Sequence, residues 1–180
     1  MNGKLVNKGC EDREETRGLD TFERKTAYLI LDGPCTDSAL AATEAAVRWA
    51  RGREERINSV HLLYGLVSNA DSISSAILNQ TGYHLLRLKK TLFGLSPGIF
   101  EGPFPETTAF VDVSSEFEEV MSRTFDLSGD SSELDSAHLL LGILETPSRA
   151  REILCKPSLG EKLKENLKQF LSARRKLEEL

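Results

Sequence analysis

One pattern is written twice in this chain, and that constrains its fold more than any other feature. His61-Leu62-Leu63-Tyr64-Gly65-Leu66-Val67 returns 77 residues later as His138-Leu139-Leu140-Leu141-Gly142-Ile143-Leu144. At the same offset Gly52 meets Gly129, Ile57 meets Leu134, Asn58 meets Asp135 and Ser59 meets Ser136. Downstream, Ile77-Leu78 answers Ile153-Leu154 after one deletion. Loop, cap and apolar anchor thus recur in the same order. Two copies at so long a period predict a pseudo-two-fold pair of helical units sharing a core, rather than an open solenoid.

Apolar periodicity supplies the helices. From Asp37 to Arg51 a wide apolar face recurs at helical spacing in an alanine-rich run, so a core helix is expected there. Val60 to Asn69 is short and almost wholly apolar, behind cap oxygens on Asn58 and Ser59. Further helices fit Asp71 to Asn79 and a stretch from near Tyr83 to Gly94. In the second half they fit Val113 to Leu127, Ser136 to Glu145, a short one capped by Thr146 with Pro147 at its first position, and Leu159 to Leu180. The last should bury Leu163, Leu167, Phe170, Leu171 and Leu177.

The predicted fold is therefore all-α, about eight helices in two pseudo-two-fold related four-helix repeats. Repeat one spans 36–94, a linker 95–112, repeat two 113–175, and 176–180 is the end of the last helix. Residues 1–35 are expected to be a leader. Over 1–25 it is solvated and partly disordered, because acids and bases alternate there with few large apolar residues. The pentad Ala27 to Leu31 reads equally as a short strand or a helical turn.

Gly65 and Gly142 sit inside the short apolar helices, where glycine costs about 1 kcal/mol against alanine. Close approach of a neighbouring helix is the expected reason. His61 and His138 fall in the first turn of the same helices, each two residues after a serine that offers a cap. Their expected role is structural, with Ser59 and Ser136: one hydrogen-bond partner and a neutral ring. No HExxH, CxxC or paired-carboxylate spacing supplies further metal ligands, so no metal or cofactor is expected. No catalytic residue is expected either, since Cys10, Cys35 and Cys155 have no glycine-rich or oxyanion signature beside them. Cys155, next to Leu154, reads as a small buried apolar residue.

The duplicated Ser-x-His-Leu-Leu-x-Gly core behind an alanine-rich helix resembles the amino-terminal repeat domain of Clp-family AAA+ unfoldases, over about residues 36–175. The resemblance implies an eight-helix domain that docks adaptors and some substrates. It also implies kinship with small standalone accessory subunits of Clp protease complexes. One departure matters. Where the family commonly has glutamate before each histidine, acids that help bind phosphoarginine tags in some relatives, this chain has Val60 and Ala137. An apolar side chain cannot accept guanidinium hydrogen bonds, so no phosphoarginine binding is expected. No GxxxxGK[ST] phosphate loop occurs in the sequence, so an unfoldase engine is not expected within it.

Composition narrows the partners. A net charge of -5 argues against nucleic acid, which selects clustered basic surface. No apolar run approaches the roughly 18 residues of a membrane helix, and the start lacks a signal-peptide layout. Three scattered cysteines fit a reducing cytoplasm or organelle interior, such as a chloroplast stroma, and not secretion. The expected function is a non-enzymatic protein-binding accessory or adaptor-like module of a Clp-type unfoldase or protease system. The alternative is a freestanding interaction or scaffold domain with no Clp partner. Candidate partner-binding residues are the linker's Ile99, Phe100, Phe104 and Phe110, which either cover the core or face a partner, and the Arg174 and Arg175 pair. Core packing is favoured for the four apolar residues, because contiguous exposed apolar patches are rare. The arginines, at a helix C-terminus, also suit the helix dipole simply as solvated charges.

Overall fold

The computed structural model describes residues 12–53, 55–95, 112–129, 133–155 and 159–178, with side chains from Phe22 to Leu177. Among them it is all-helical: α1 Asp12–Leu31, α2 Asp37–Arg51, α3 Ser59–Ser68, α4 Ile73–Thr81, α5 Leu85–Leu95, α6 Ser115–Ser128, α7 Ser136–Glu145, α8 Arg149–Leu154 and α9 Leu159–Glu178. Helices α2 to α5 and α6 to α9 form the two repeats, and α1 is an addition. The linker residues Ile99, Phe100, Phe104 and Phe110 lie outside the described residues.

The first correction concerns α1. Its charged composition hides a seam at i, i+4 and i+8: Glu23, Ala27 and Leu31 are buried while Tyr28 and Leu29 between them are exposed. The seam packs on α2, where Glu23 accepts from Arg48 Nε at 3.0 Å. A charge count sees solvation where one apolar stripe suffices, so the pentad is the last helical turn rather than a strand.

Helices α3 and α7 form the centre. Of α3 only Tyr64 and Ser68 reach the surface, and Leu62, Leu63 and Leu66 are fully buried. Each such leucine contributes roughly 1.5–3 kcal/mol of burial. Short helices this apolar are stable only where packing encloses them, and α2, α5, α7 and α8 do so for α3. α7 is surrounded in the same way by α6, α9, α8 and α4.

The repeats are joined reciprocally. Thr36 N–H donates to the Leu134 carbonyl and Leu134 N–H to the Pro34 carbonyl, both at 2.9 Å. In the mirror position Ser114 N–H donates to the Ile57 carbonyl at 2.9 Å and Ile57 N–H to the Asp112 carbonyl at 2.8 Å. Exchanging the repeats exchanges Ile57 with Leu134 and Thr36 with Ser114, so the two isolated parallel bridges map onto one another. Thr36 and Ser114 also cap matching helices, accepting from Ala39 N–H and Phe117 N–H.

Several boundaries differ from the sequence reading. Ser148, not Thr146, caps α8, accepting from Arg151 N–H at 3.2 Å. Pro147 therefore precedes the helix rather than opening it. α5 begins at Leu85, because Gly82 at φ 106 closes α4 in a left-handed turn. Leu177 is 72% exposed, beyond the reach of the core that covers Leu163 and Leu167. Cys155 is exposed, since α8 ends at Leu154 and the chain turns outward.

One polar cluster fixes α9 to the bundle. The Glu145 carboxylate, 8% exposed, accepts from Lys164 Nζ at 3.1 Å, Lys168 Nζ at 3.0 Å and Arg123 Nε at 3.0 Å. Burial pushes its pKa up, but hydrogen bonds from Lys168, Arg123 and Lys164 outweigh that and lower it from 4.5 to about 2. A depressed carboxylate pKa gives stability that is present above the unfolded value of 4.5 and lost as pH falls through about 2. Glu145→Gln is therefore expected to be ~2–3 kcal/mol less stable near pH 7. Thermal unfolding should show the two proteins converging as the buffer is taken from neutrality towards pH 2. A constant gap would contradict the assignment.

Candidate protein-docking site

The repeated histidines cap their helices. Asn58 and Asp135, rather than the serines that follow them, are the N-caps of α3 and α7. His61 Nδ1 accepts the Asn58 N–H at 3.2 Å and His138 Nδ1 accepts the Asp135 N–H at 3.1 Å, closing a capping box in each repeat. Burial holds the His61 pKa down at about 4, against the opposing pull of Glu55. The ring is thus neutral, its proton on Nε2, which donates to Glu55 at 3.2 Å.

The serines have other duties. Buried Ser59 hydrogen-bonds through its hydroxyl to Glu116 and accepts the Ala150 N–H at 3.1 Å, tying α3 to α6 and the start of α8. Ser136 donates to Asp135 Oδ1 at 3.3 Å. The glycines are close crossings: a Cβ on Gly65 would lie against the Ala42 carbonyl, and one on Gly142 against Thr124 Oγ1. These motif residues are buried and bonded within the fold.

Arg174 and Arg175, adjacent in sequence, part company in space. Arg174 Nη1 donates to Asp135 Oδ2 at 2.6 Å, and Asp135 is 1% exposed. Arg174 is thus a counter-ion for the cap of α7, its guanidinium engaged within the fold. Arg175 is exposed. Val60 and Ala137 are buried, so neither position offers a polar group to a ligand. Among the described residues no three His, Cys, Asp or Glu side chains gather to hold a metal ion, and no helix is long and apolar enough to cross a membrane.

Among the open clefts of the described residues, one on repeat one is aromatic. Ala45, Arg48, Trp49 and the following turn at Gly52 and Arg53 form one wall, and Tyr64, Ser68, Lys89 and Phe93 the other. Its volume is about 420 Å³. Trp49 and Tyr64 lie with ring centroids 4.1 Å apart, and His61 meets Trp49 edge-on at 4.9 Å, so the neutral capping histidine also props the groove wall. Arg53 stands 4.6 Å over Trp49 and 5.2 Å over Phe93, and Lys89 5.3 Å over Tyr64. These are cation–π distances. Phe93 is 49% exposed. Among the described residues the buried Trp49 Nε1–H and Ser68 Oγ have no protein hydrogen-bond partner.

Repeat two carries the counterpart, a hollow of about 230 Å³ lined by Leu127, His138, Leu141, Lys168, Leu171, Ser172 and Arg175. Leu141 stands at the repeat position of Tyr64, so the second hollow is aliphatic where the first is aromatic. Sequence reading missed the first groove. Its signal was Tyr64, the one aromatic break in an otherwise aliphatic α3 that repeat two does not share.

Fold, duplicated caps and reciprocal bridges define a double-repeat helical domain. Residues 35–157 match the Clp repeat (R) N-terminal domain, which is more than half of the chain, and the chain belongs to that family. No curated protein sequence matches it significantly. Solved structures share the fold. The Hsp104 N-terminal domain from Candida albicans is similar at 15% identity and TM-score 0.60, covering 74% of this chain and 89% of that one. A chain from a malarial protein secretion system gives 19% identity and TM-score 0.61, covering 76% and 94%. A chain from work on the type VI secretion ATPase ClpV, the TssB-TssC sheath and the accessory HsiE protein gives 24% identity and TM-score 0.57, covering 79% and 90%.

Proposed function

We propose that this chain is a non-enzymatic accessory or adaptor-like module that binds a Clp-type unfoldase, its protease, or substrates delivered to them. The observation that carries the reading is the contrast within the double Clp repeat. The polar groups of the repeated motif, His61, His138, Ser59 and Asp135, are bound inside the fold, whereas the aromatic groove of repeat one is open. Surface complementarity, not chemistry, is what this arrangement offers. Fold kinship with parts of Hsp104 and a ClpV system supports placing it beside such machines. The two repeats then act as a single docking body, to which exposed Arg175 adds a basic edge.

Affinity purification of the intact protein from its own cell, with mass spectrometry of co-purifying chains, tests the reading. Recovery of a Clp unfoldase or protease subunit supports it, and reproducible absence leaves a freestanding scaffold domain. The reading also excludes one substrate signal. With Val60 and Ala137 buried and apolar, calorimetry with a phosphoarginine peptide is expected to show no binding. Tight binding there would overturn this exclusion.

A further inference from the structure

We propose that the groove formed by Trp49, Tyr64 and Phe93 binds an extended acidic segment of a partner protein, an apolar side chain of that segment lying on the rings and its carboxylates meeting Lys89. This rests on the protein-binding reading above and names the chemistry of the partner. Charge complementarity decides it. The groove is lined by three cations, Arg48, Arg53 and Lys89, and by no acid, on a chain whose net charge is -5. Arg48 is bound to Glu23 at 3.0 Å and Glu44 at 3.1 Å. Lys89 stands over the face of Tyr64, so an arriving carboxylate meets a cation and an aromatic surface together.

At about 420 Å³ the hollow falls within the roughly 300–1,000 Å³ of ligand clefts. A nucleic acid would meet this small cationic patch within an acidic molecule and find little else to neutralise its phosphates.

Trp49 is the sole tryptophan, so its emission reports the groove directly. The full chain is titrated with the capped peptide Gly-Glu-Glu-Phe-Glu-Glu-Gly, and with the same peptide carrying lysine for glutamate. A saturable change with the acidic peptide alone, weakened by salt, is expected. Lys89→Glu is expected to bind about tenfold more weakly at an unchanged melting temperature, and the remote surface change Lys162→Glu to bind normally. Equal response to both peptides, no response, or full affinity in Lys89→Glu overturns the proposal. Repeating the affinity purification with Lys89→Glu separates the two claims. A Clp subunit recovered equally by both proteins leaves the protein-binding reading standing and removes this groove from it. Acidic-peptide binding without any Clp subunit does the reverse.

Discussion

Gly65→Ala is expected to lower stability by about 3 kcal/mol, a fall of roughly 10 °C in Tm for a chain of this size. Alanine is the better helix former by about 1 kcal/mol, so helix propensity alone predicts the opposite sign. Packing decides the outcome. The new Cβ would fall on the Ala42 carbonyl oxygen, with the carbonyl carbon at 2.9 Å and the Cα at 3.3 Å. All three are backbone atoms of α2, so relief requires moving a helix rather than a rotamer. Gly142→Ala meets a softer obstacle, the Thr124 side chain, with the Val120 carbonyl at 3.1 Å behind it. About 1–2 kcal/mol is expected there. The partners separate the two cases: Thr124→Ala should restore most of the loss in Gly142→Ala, whereas no side-chain change at Ala42 should rescue Gly65→Ala. Thermal melts of the five proteins check this, and equal effects at the two glycines would refute the account.

Arg174→Ala is expected to cost about 2–3 kcal/mol, and Arg175→Ala within about 0.5 kcal/mol. Removing the Arg174 guanidinium leaves the Asp135 carboxylate, 1% exposed, without the cation 2.6 Å away while it still caps α7 through Ala137 N–H at 2.8 Å. An uncompensated buried charge is the dominant cost. Asp135→Asn keeps a cap acceptor and removes that charge, so Asp135→Asn with Arg174→Ala should be milder than Arg174→Ala alone. Urea unfolding of the wild type and these three variants measures it. If Arg174→Ala weakened partner binding at full stability, the structural assignment would fail.

The duplicated motif carried the architecture because it encodes contacts that are local in sequence: a cap, an apolar face and a glycine crossing, each within one helix and its flanks. Gly65 and His61 were legible for that reason, and so was the all-helical pairing. Features made by residues distant in sequence were not. Nothing local marks Asp135 as needing Arg174, or Glu145 as collecting Arg123, Lys164 and Lys168. The aromatic groove brings α2, the turn after it, α3 and α5 together, and only the Tyr64-for-Leu141 difference hinted at it. α1 was hidden by its charge, since a three-residue seam leaves little trace in composition.

The reciprocal bridges bear on how such a domain arises and fails. The backbone ahead of α2 finds its hydrogen bonds on Leu134, and that ahead of α6 finds them on Ile57. A single copy of the repeat would carry both a donor edge and an acceptor edge with nothing in its own half to meet them. It would satisfy them only by pairing with a second copy, which the duplication supplies within one chain. By the same logic, fragments cut between the halves are expected to stay associated, each supplying the edge the other lacks, and to elute together in gel filtration.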